Sequence, residues 1–157
     1  MEANLFPVLV VDDEANQRTA LASMIEGWGY RVETASNGQE ALDKLRDFDA
    51  GVVITDLMMP VLSGKELLRR LREQPRQPLA IVLTAFGNIE TALETIHDLG
   101  AYWFLEKPLD PRALRLLLER AARQRRLESY NAELERQLAG QGLLGERSRL
   151  GKPSPLA

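Results

Sequence analysis

The sequence predicts an α/β protein in which five short strands form one parallel sheet between two layers of helices. Two observations carry this reading. Short apolar runs alternate with longer segments whose apolar residues recur every three to four positions, the signatures of strand and helix respectively. The central runs are also apolar almost without interruption, as parallel strands covered on both faces must be.

The elements follow in order. Phe6 to Val11 is an apolar run closed by Asp12-Asp13. Leu21, Met24, Ile25 and Trp28 recur at helical spacing, and Gly27 and Gly29 stop that helix. Arg31 to Ala35 alternates like a half-exposed edge strand. Ser36 or Asn37 caps the next helix, whose inner face is Ala41, Leu42 and Leu45. Val52-Val53-Ile54 is a buried strand ending at Asp56, and a loop with Pro60 and Gly64 leads to a helix carrying Leu67, Leu68 and Leu71. Leu79 to Leu83 is the fourth strand and ends at Thr84. Ile89, Ala92, Leu93 and Ile96 make one face of a helix that Gly100 terminates. Ala101 to Leu105 is the last strand, with Lys107-Pro108 behind it, and a long helix starts near Pro111. Right-handed crossovers leave few topologies for such a chain. The simplest is a flavodoxin-like (βα)5 doubly wound sheet of strand order 2-1-3-4-5, with an extended C-terminal helix.

Composition narrows the function. With 157 residues, 45% hydrophobic and 27% charged, the chain suits one soluble domain with an appendage. A net charge of −3 gives no bulk attraction to nucleic acid or anionic lipid. The absence of cysteine excludes disulfides and thiolate metal sites. The N-terminus has no basic, apolar leader pattern, and no window approaches a spanning length of apolar residues. A cytoplasmic protein is expected.

The chemistry lies at the strand ends. The first strand closes on Asp12-Asp13, the third on Asp56, the fourth on Thr84 and the fifth on Glu106-Lys107. Doubly wound sheets place their sites beyond the carboxyl ends of the strands, so three carboxylates, a hydroxyl and an ammonium converge on one rim. Crowded carboxylates repel one another and call for a cation, and an all-oxygen ligand set selects Mg2+. A carboxylate, a divalent metal, a lysine and a hydroxyl together make a phosphoryl-transfer site. Each residue alone has a plainer explanation: Asp12, Asp13 or Glu14 could be a helix cap, Thr84 a turn residue, and Lys107 a solvated side chain. Their coincidence at four of the five strand ends is what singles them out.

These residues resemble the response regulator receiver domain family. The matching segments are Val8 to Glu14, Val53 to Pro60 with Gly64, Leu83-Thr84-Ala85 and Phe104 to Pro108, over about residues 6 to 124 in the family's order. The resemblance implies that Asp56 is a nucleophile that becomes an aspartyl phosphate, with a phosphohistidine on a sensor histidine kinase as donor. It implies that Asp13 and Asp56 ligate Mg2+ through their carboxylates and Met58 through its backbone carbonyl, with Asp12 supporting the metal. Lys107 then pairs with a phosphoryl oxygen ahead of a cis peptide to Pro108, and Thr84 donates its hydroxyl to the phosphate. Phe104 stands at the switch position, where many members carry Tyr.

Beyond the fifth helix's inner stripe of Leu114, Leu117, Leu118, Ala121 and Ala122, a second stripe of Leu127, Tyr130, Leu134 and Leu138 continues without Gly or Pro until Gly140. It is rotated from the first by about 120° at ~100° per residue. A partner helix in a coiled-coil homodimer is the natural cover. Arg120, Arg123, Arg125 and Arg126 read as a solvated helix face, because glutamates offset them. The expected organisation is a receiver domain over 1–124, a linker helix over 125–139 and a flexible linker over 140–157, rich in Gly and Pro. Gly151-Lys152-Pro153 lacks the glycine spacing and the hydroxyl of a phosphate loop. Gly87 to Ala92, the long helix and the leucine stripe are similar to the nitrogen-regulation type of sigma-54-dependent regulator. In that type an ATPase domain and a DNA-binding domain follow, so DNA would be contacted only through an output domain absent from this chain.

Two other classes fit this sequence less well. A haloacid-dehalogenase-type phosphatase wants a second acid two residues after its nucleophile, where this chain has Met58. A phosphate-independent interaction module would have lost part of the set Asp12, Asp13, Asp56, Thr84 and Lys107, all present here.

Overall fold

The computed structural model describes residues 6–59, 61–85 and 89–140. Pro60, the Gly87-Asn88 pair and the Gly/Pro-rich stretch from 141 onward lie outside the described residues. The elements run β1 (Pro7–Val11), α1 (Ala15–Gly27), β2 (Arg31–Ala35), α2 (Gly38–Leu45), β3 (Val52–Asp56), α3 (Gly64–Arg72), β4 (Leu79–Thr84), α4 (Ile89–Leu99), β5 (Trp103–Glu106) and α5 (Pro111–Gly140). All five strands pair in parallel in the order β2-β1-β3-β4-β5, as the sequence predicts.

Period-two alternation divides the sheet's side chains between two cores. Val8, Val10, Val52, Ile54, Ile81 and Leu83 pack with Leu21 and Ile25 of α1 and Leu114 and Leu118 of α5. Leu9, Val11, Val53 and Val82 pack with Ala41 of α2 and Leu67, Leu68 and Leu71 of α3. Each central strand is therefore apolar along most of its length while feeding a different layer on each side. Register follows from the same packing: Val10 lies beside Ile54, and Ile54 beside Ile81. These pairings bring the strand ends, with their polar residues, to one rim.

Three expectations are corrected. The last strand is Trp103–Glu106 rather than Ala101–Leu105. Gly100 turns the chain out of α4 with φ 77°, and Ala101 and Tyr102 are spent on the way to β4, where the Tyr102 N–H donates to the Ala80 carbonyl. On α4 the buried residues are Ala92 and Thr95, whereas Leu93 is 50% exposed and Ile89 44% exposed. Thr95 can be buried because its hydroxyl donates to the Thr91 carbonyl at 2.8 Å, which satisfies the group within the helix. Trp28 lies just past α1 as its C-cap, where it takes the Arg115 guanidinium over its ring at 5.5 Å.

The chain divides into two units, Met1–Ala122 and Arg123–Ala157. The first holds the sheet, both cores and the rim. The described part of the second consists of later turns of α5, with Leu127, Tyr130 and Leu134 exposed. No helix among the described residues is long and apolar enough to cross a membrane.

Candidate functional site

Four strand ends and one helix deliver the site. The β1 ladder extends one residue past its end, where the Asp12 N–H donates to the Ala35 carbonyl at 3.1 Å. Asp12 is thereby buried, with 2% exposure, and its Oδ1 accepts the Glu14 N–H at 2.9 Å. Of the three acids that could cap α1, Glu14 does so: its Oε1 accepts the Gln17 N–H at 2.7 Å. Asp12 and Asp13 are left to face the rim with Asp56, and one oxygen from each of the three lies within 4.8 Å of the others. Burial pushes the Asp12 carboxyl above its usual range, and the Asp56 and Asp13 charges add to that. The hydrogen bond from Glu14 and the Lys107 charge oppose it. Crowded oxygens with one acid held at a cost in its charged form suit a hard divalent cation such as Mg2+.

Asp56 closes β3. The loop behind it is tight: a Cβ on Gly64 would stand 2.4 Å from the Asp56 carbonyl oxygen and 2.8 Å from the Leu57 Cα, so only glycine lets α3 start there. Met58, in that loop, is 72% exposed. Val61 adopts φ 67°, a left-handed conformation costly for a β-branched residue, and is 80% exposed.

From the far side comes Lys107. Its N–H donates to the Thr84 carbonyl at 2.8 Å, fastening the ends of β4 and β5, and its peptide to Pro108 is cis. The Lys107 Nζ lies 2.8 Å from Asp56 Oδ2 and also donates to Gln17 Oε1 at 3.2 Å. Thr84 is buried, and its hydroxyl has no hydrogen-bond partner among the described residues. A buried hydroxyl left without a partner carries a desolvation cost, which an acceptor entering the site would relieve.

The structure thus brings together Asp12, Asp13, Asp56 and Lys107, with Thr84 at the adjacent strand end. Phe104 is half-buried against the α2–α3 side of the sheet and stacks on Trp103 at 5.9 Å between centroids. Leu127, Tyr130, Leu134 and Leu138 lie on the second unit. Sequence reasoning passed over Gln17. Its place in the first turn of α1 was visible, but a contact with a lysine 90 residues away was not.

The doubly wound sheet thus carries a three-carboxylate cluster and a lysine at its carboxyl rim. Comparison with known proteins gives the family. The chain belongs to the response regulator receiver domain family, which matches residues 8–119. It is 35% identical to the transcriptional regulatory protein ZraR of Klebsiella oxytoca over 93% of this chain and 32% of that protein. It is 37% identical to the transcriptional regulatory protein FixJ of Azorhizobium caulinodans over 91% of this chain and 68% of that protein. Among solved structures, the receiver domain of NtrX from Brucella abortus superposes with a TM-score of 0.69 at 34% identity, covering 74% of this chain and 98% of that one. The chain therefore spans about a third of ZraR and about two thirds of FixJ.

Proposed function

We propose that Asp56 accepts a phosphoryl group from a phosphohistidine of a sensor histidine kinase, and that the aspartyl phosphate switches the output of a transcription regulator. The observation that carries this reading is the Asp56 carboxylate, paired with Lys107 at 2.8 Å on the edge of the acidic cluster. An Asp56 carboxylate oxygen attacks phosphorus, and the phosphorus–nitrogen bond breaks. The electron pair returns to the imidazole, which leaves neutral once protonated on its other nitrogen. Mg2+, held by the Asp13 and Asp56 carboxylates and the Met58 carbonyl and supported by Asp12 largely through water, would neutralise charge on the phosphoryl oxygens. Lys107 keeps an ammonium beside those oxygens, and the Thr84 hydroxyl gains an acceptor it lacks among the described residues. The phosphate adds ~1.5 to 2 negative charges and three acceptor oxygens. Thr84 and Lys107 satisfy these in only one of two loop arrangements, and Phe104 repacks with them, which is a population shift.

The proposed organisation is the receiver over 1–124, a linker helix over 125–139 and a linker over 140–157 toward an output domain of the nitrogen-regulation, sigma-54-dependent type. The exposed Leu127, Tyr130 and Leu134, continued by Leu138, suit a homodimer built along the linker helix. DNA would be reached through the output domain, and the only chemistry of this chain is its own phosphorylation and dephosphorylation. Incubation with Mg2+ and acetyl phosphate, followed by intact mass and light scattering, tests this. One phosphoryl group should appear, be absent from Asp56→Asn, and change the dimer state. No mass gain in folded protein would refute the acceptor role and favour a phosphate-independent binding module.

A further inference from the structure

We propose that Gln17 is a positioning residue that holds Lys107 over the Asp56 carboxylate and so sets how fast the phosphoryl group is accepted. The inference rests on the reading of Asp56 as the acceptor. It starts from the lysine's two contacts, Asp56 Oδ2 at 2.8 Å and Gln17 Oε1 at 3.2 Å.

An ammonium offers three donors on a flexible four-carbon stem. Held by Asp56 alone, Lys107 could swing toward Asp12 or Asp13, whose carboxylates belong to the same cluster, or into water. A second acceptor on the α1 side removes that freedom. The amide oxygen is the group that must face the lysine, because a lysine cannot accept.

Gln17 is itself held. Its N–H is fixed by the Glu14 cap at 2.7 Å, and Glu14 is anchored in turn by its own N–H on Asp12 Oδ1 at 2.9 Å. The acidic pair, the cap and the glutamine thus form one chain of contacts that ends on the lysine. An amide also supplies an acceptor without a fourth negative charge on a rim that must admit a phosphoryl group. Gln17 is exposed, so packing does not account for its contact with a residue from the far end of the domain.

The test is a double-mutant cycle read as the rate of phosphorylation by acetyl phosphate with Mg2+, over a range of donor concentrations. The proteins are wild type, Gln17→Met, Lys107→Met and the double variant, with Asp56→Asn as the blank. Methionine keeps the length and helix preference of glutamine without its acceptor. Loss of one solvent-exposed hydrogen bond of ordinary strength predicts a rate at saturating donor about three- to tenfold lower in Gln17→Met, with the half-saturating donor concentration changed less than twofold and the thermal midpoint unchanged. In the Lys107→Met background the same substitution should change the rate less than twofold, because its effect runs through the lysine. A Gln17→Met rate equal to wild type overturns the proposal. So does equal slowing in both backgrounds, which would make Gln17 act independently of Lys107. If folded wild type gains no phosphoryl group, the acceptor reading itself fails, and this inference falls with it.

Discussion

Removing the charge of Asp12 probes what the acidic cluster costs the fold. Asp12→Asn keeps the Oδ1 that accepts the Glu14 N–H and nearly the same shape, so the charge is the main thing lost. In the wild type its oxygen lies within 4.8 Å of oxygens on Asp13 and Asp56. Each such repulsion amounts to about 3 kcal/mol at an effective dielectric constant of ~20, and burial adds to it. Lys107 and the Glu14 hydrogen bond oppose these effects, leaving a net cost of roughly 1–2 kcal/mol. Without divalent metal, Asp12→Asn should therefore be more stable than wild type, with a thermal midpoint higher by about 4–8 °C for a domain of this size. Mg2+ narrows this gap. Ten times its dissociation constant of Mg2+ stabilises the wild type by about 1.4 kcal/mol, and the variant should keep less than half of that rise. The assay is thermal unfolding of both proteins in EDTA and across a Mg2+ titration. A variant that is less stable in EDTA, yet shows the full wild-type response to Mg2+, would refute both the crowding argument and the assignment of Asp12 to the metal.

Four further outcomes are expected. Val61→Asn should raise stability by about 1 kcal/mol, because asparagine tolerates the left-handed backbone that valine occupies here; urea unfolding measures it. Gly64→Ala should lose about 2–3 kcal/mol, since its Cβ would meet backbone at 2.4 Å, and its phosphorylation should slow because the atom it meets belongs to Asp56. Glu40 accepts from both the hydroxyl and the N–H of Ser36, and these hold its carboxyl below the usual range. A lowered folded value gives stability that is present above the unfolded value and lost as pH falls through the folded one. Glu40→Gln should therefore cost about 0.5–1 kcal/mol at pH 7 and nearly nothing at pH 2–3 by urea unfolding, the size being limited by its exposure. Leu127→Ser with Leu134→Ser should shift light scattering of the phosphorylated or unphosphorylated protein, whichever is dimeric, to the monomer mass while leaving the mass gain at Asp56 intact.

The strand order was legible because unbroken apolar runs such as Val8–Val11 and Val52–Ile54 cannot be amphipathic edge strands, and their polar terminators marked the rim. The α4 face was misjudged because Thr95 looks polar in sequence but satisfies its own hydroxyl on Thr91. The start of β5 was misplaced because burial of Ala101 does not reveal that Gly100 is still turning the chain. The cap of α1 stayed open among Asp12, Asp13 and Glu14, since any carboxylate can accept from a helix N-terminus; only the backbone path picks Glu14. Gln17 was invisible for a different reason. Its importance is a long-range contact, and no local period encodes one.

The span of the Lys107 contacts has a consequence for how the chain matures. Lys107 meets Asp56 across 51 positions and Gln17 across 90, so the lysine reaches the rim only when the fifth strand docks beside the fourth. A chain still emerging from the ribosome, or one whose last strand has frayed, can present its three acids but lacks the cation that balances them. Contacts this distant in sequence form late and are lost together. On the reading of Asp56 as the acceptor, phosphorylation would wait for completion of the sheet.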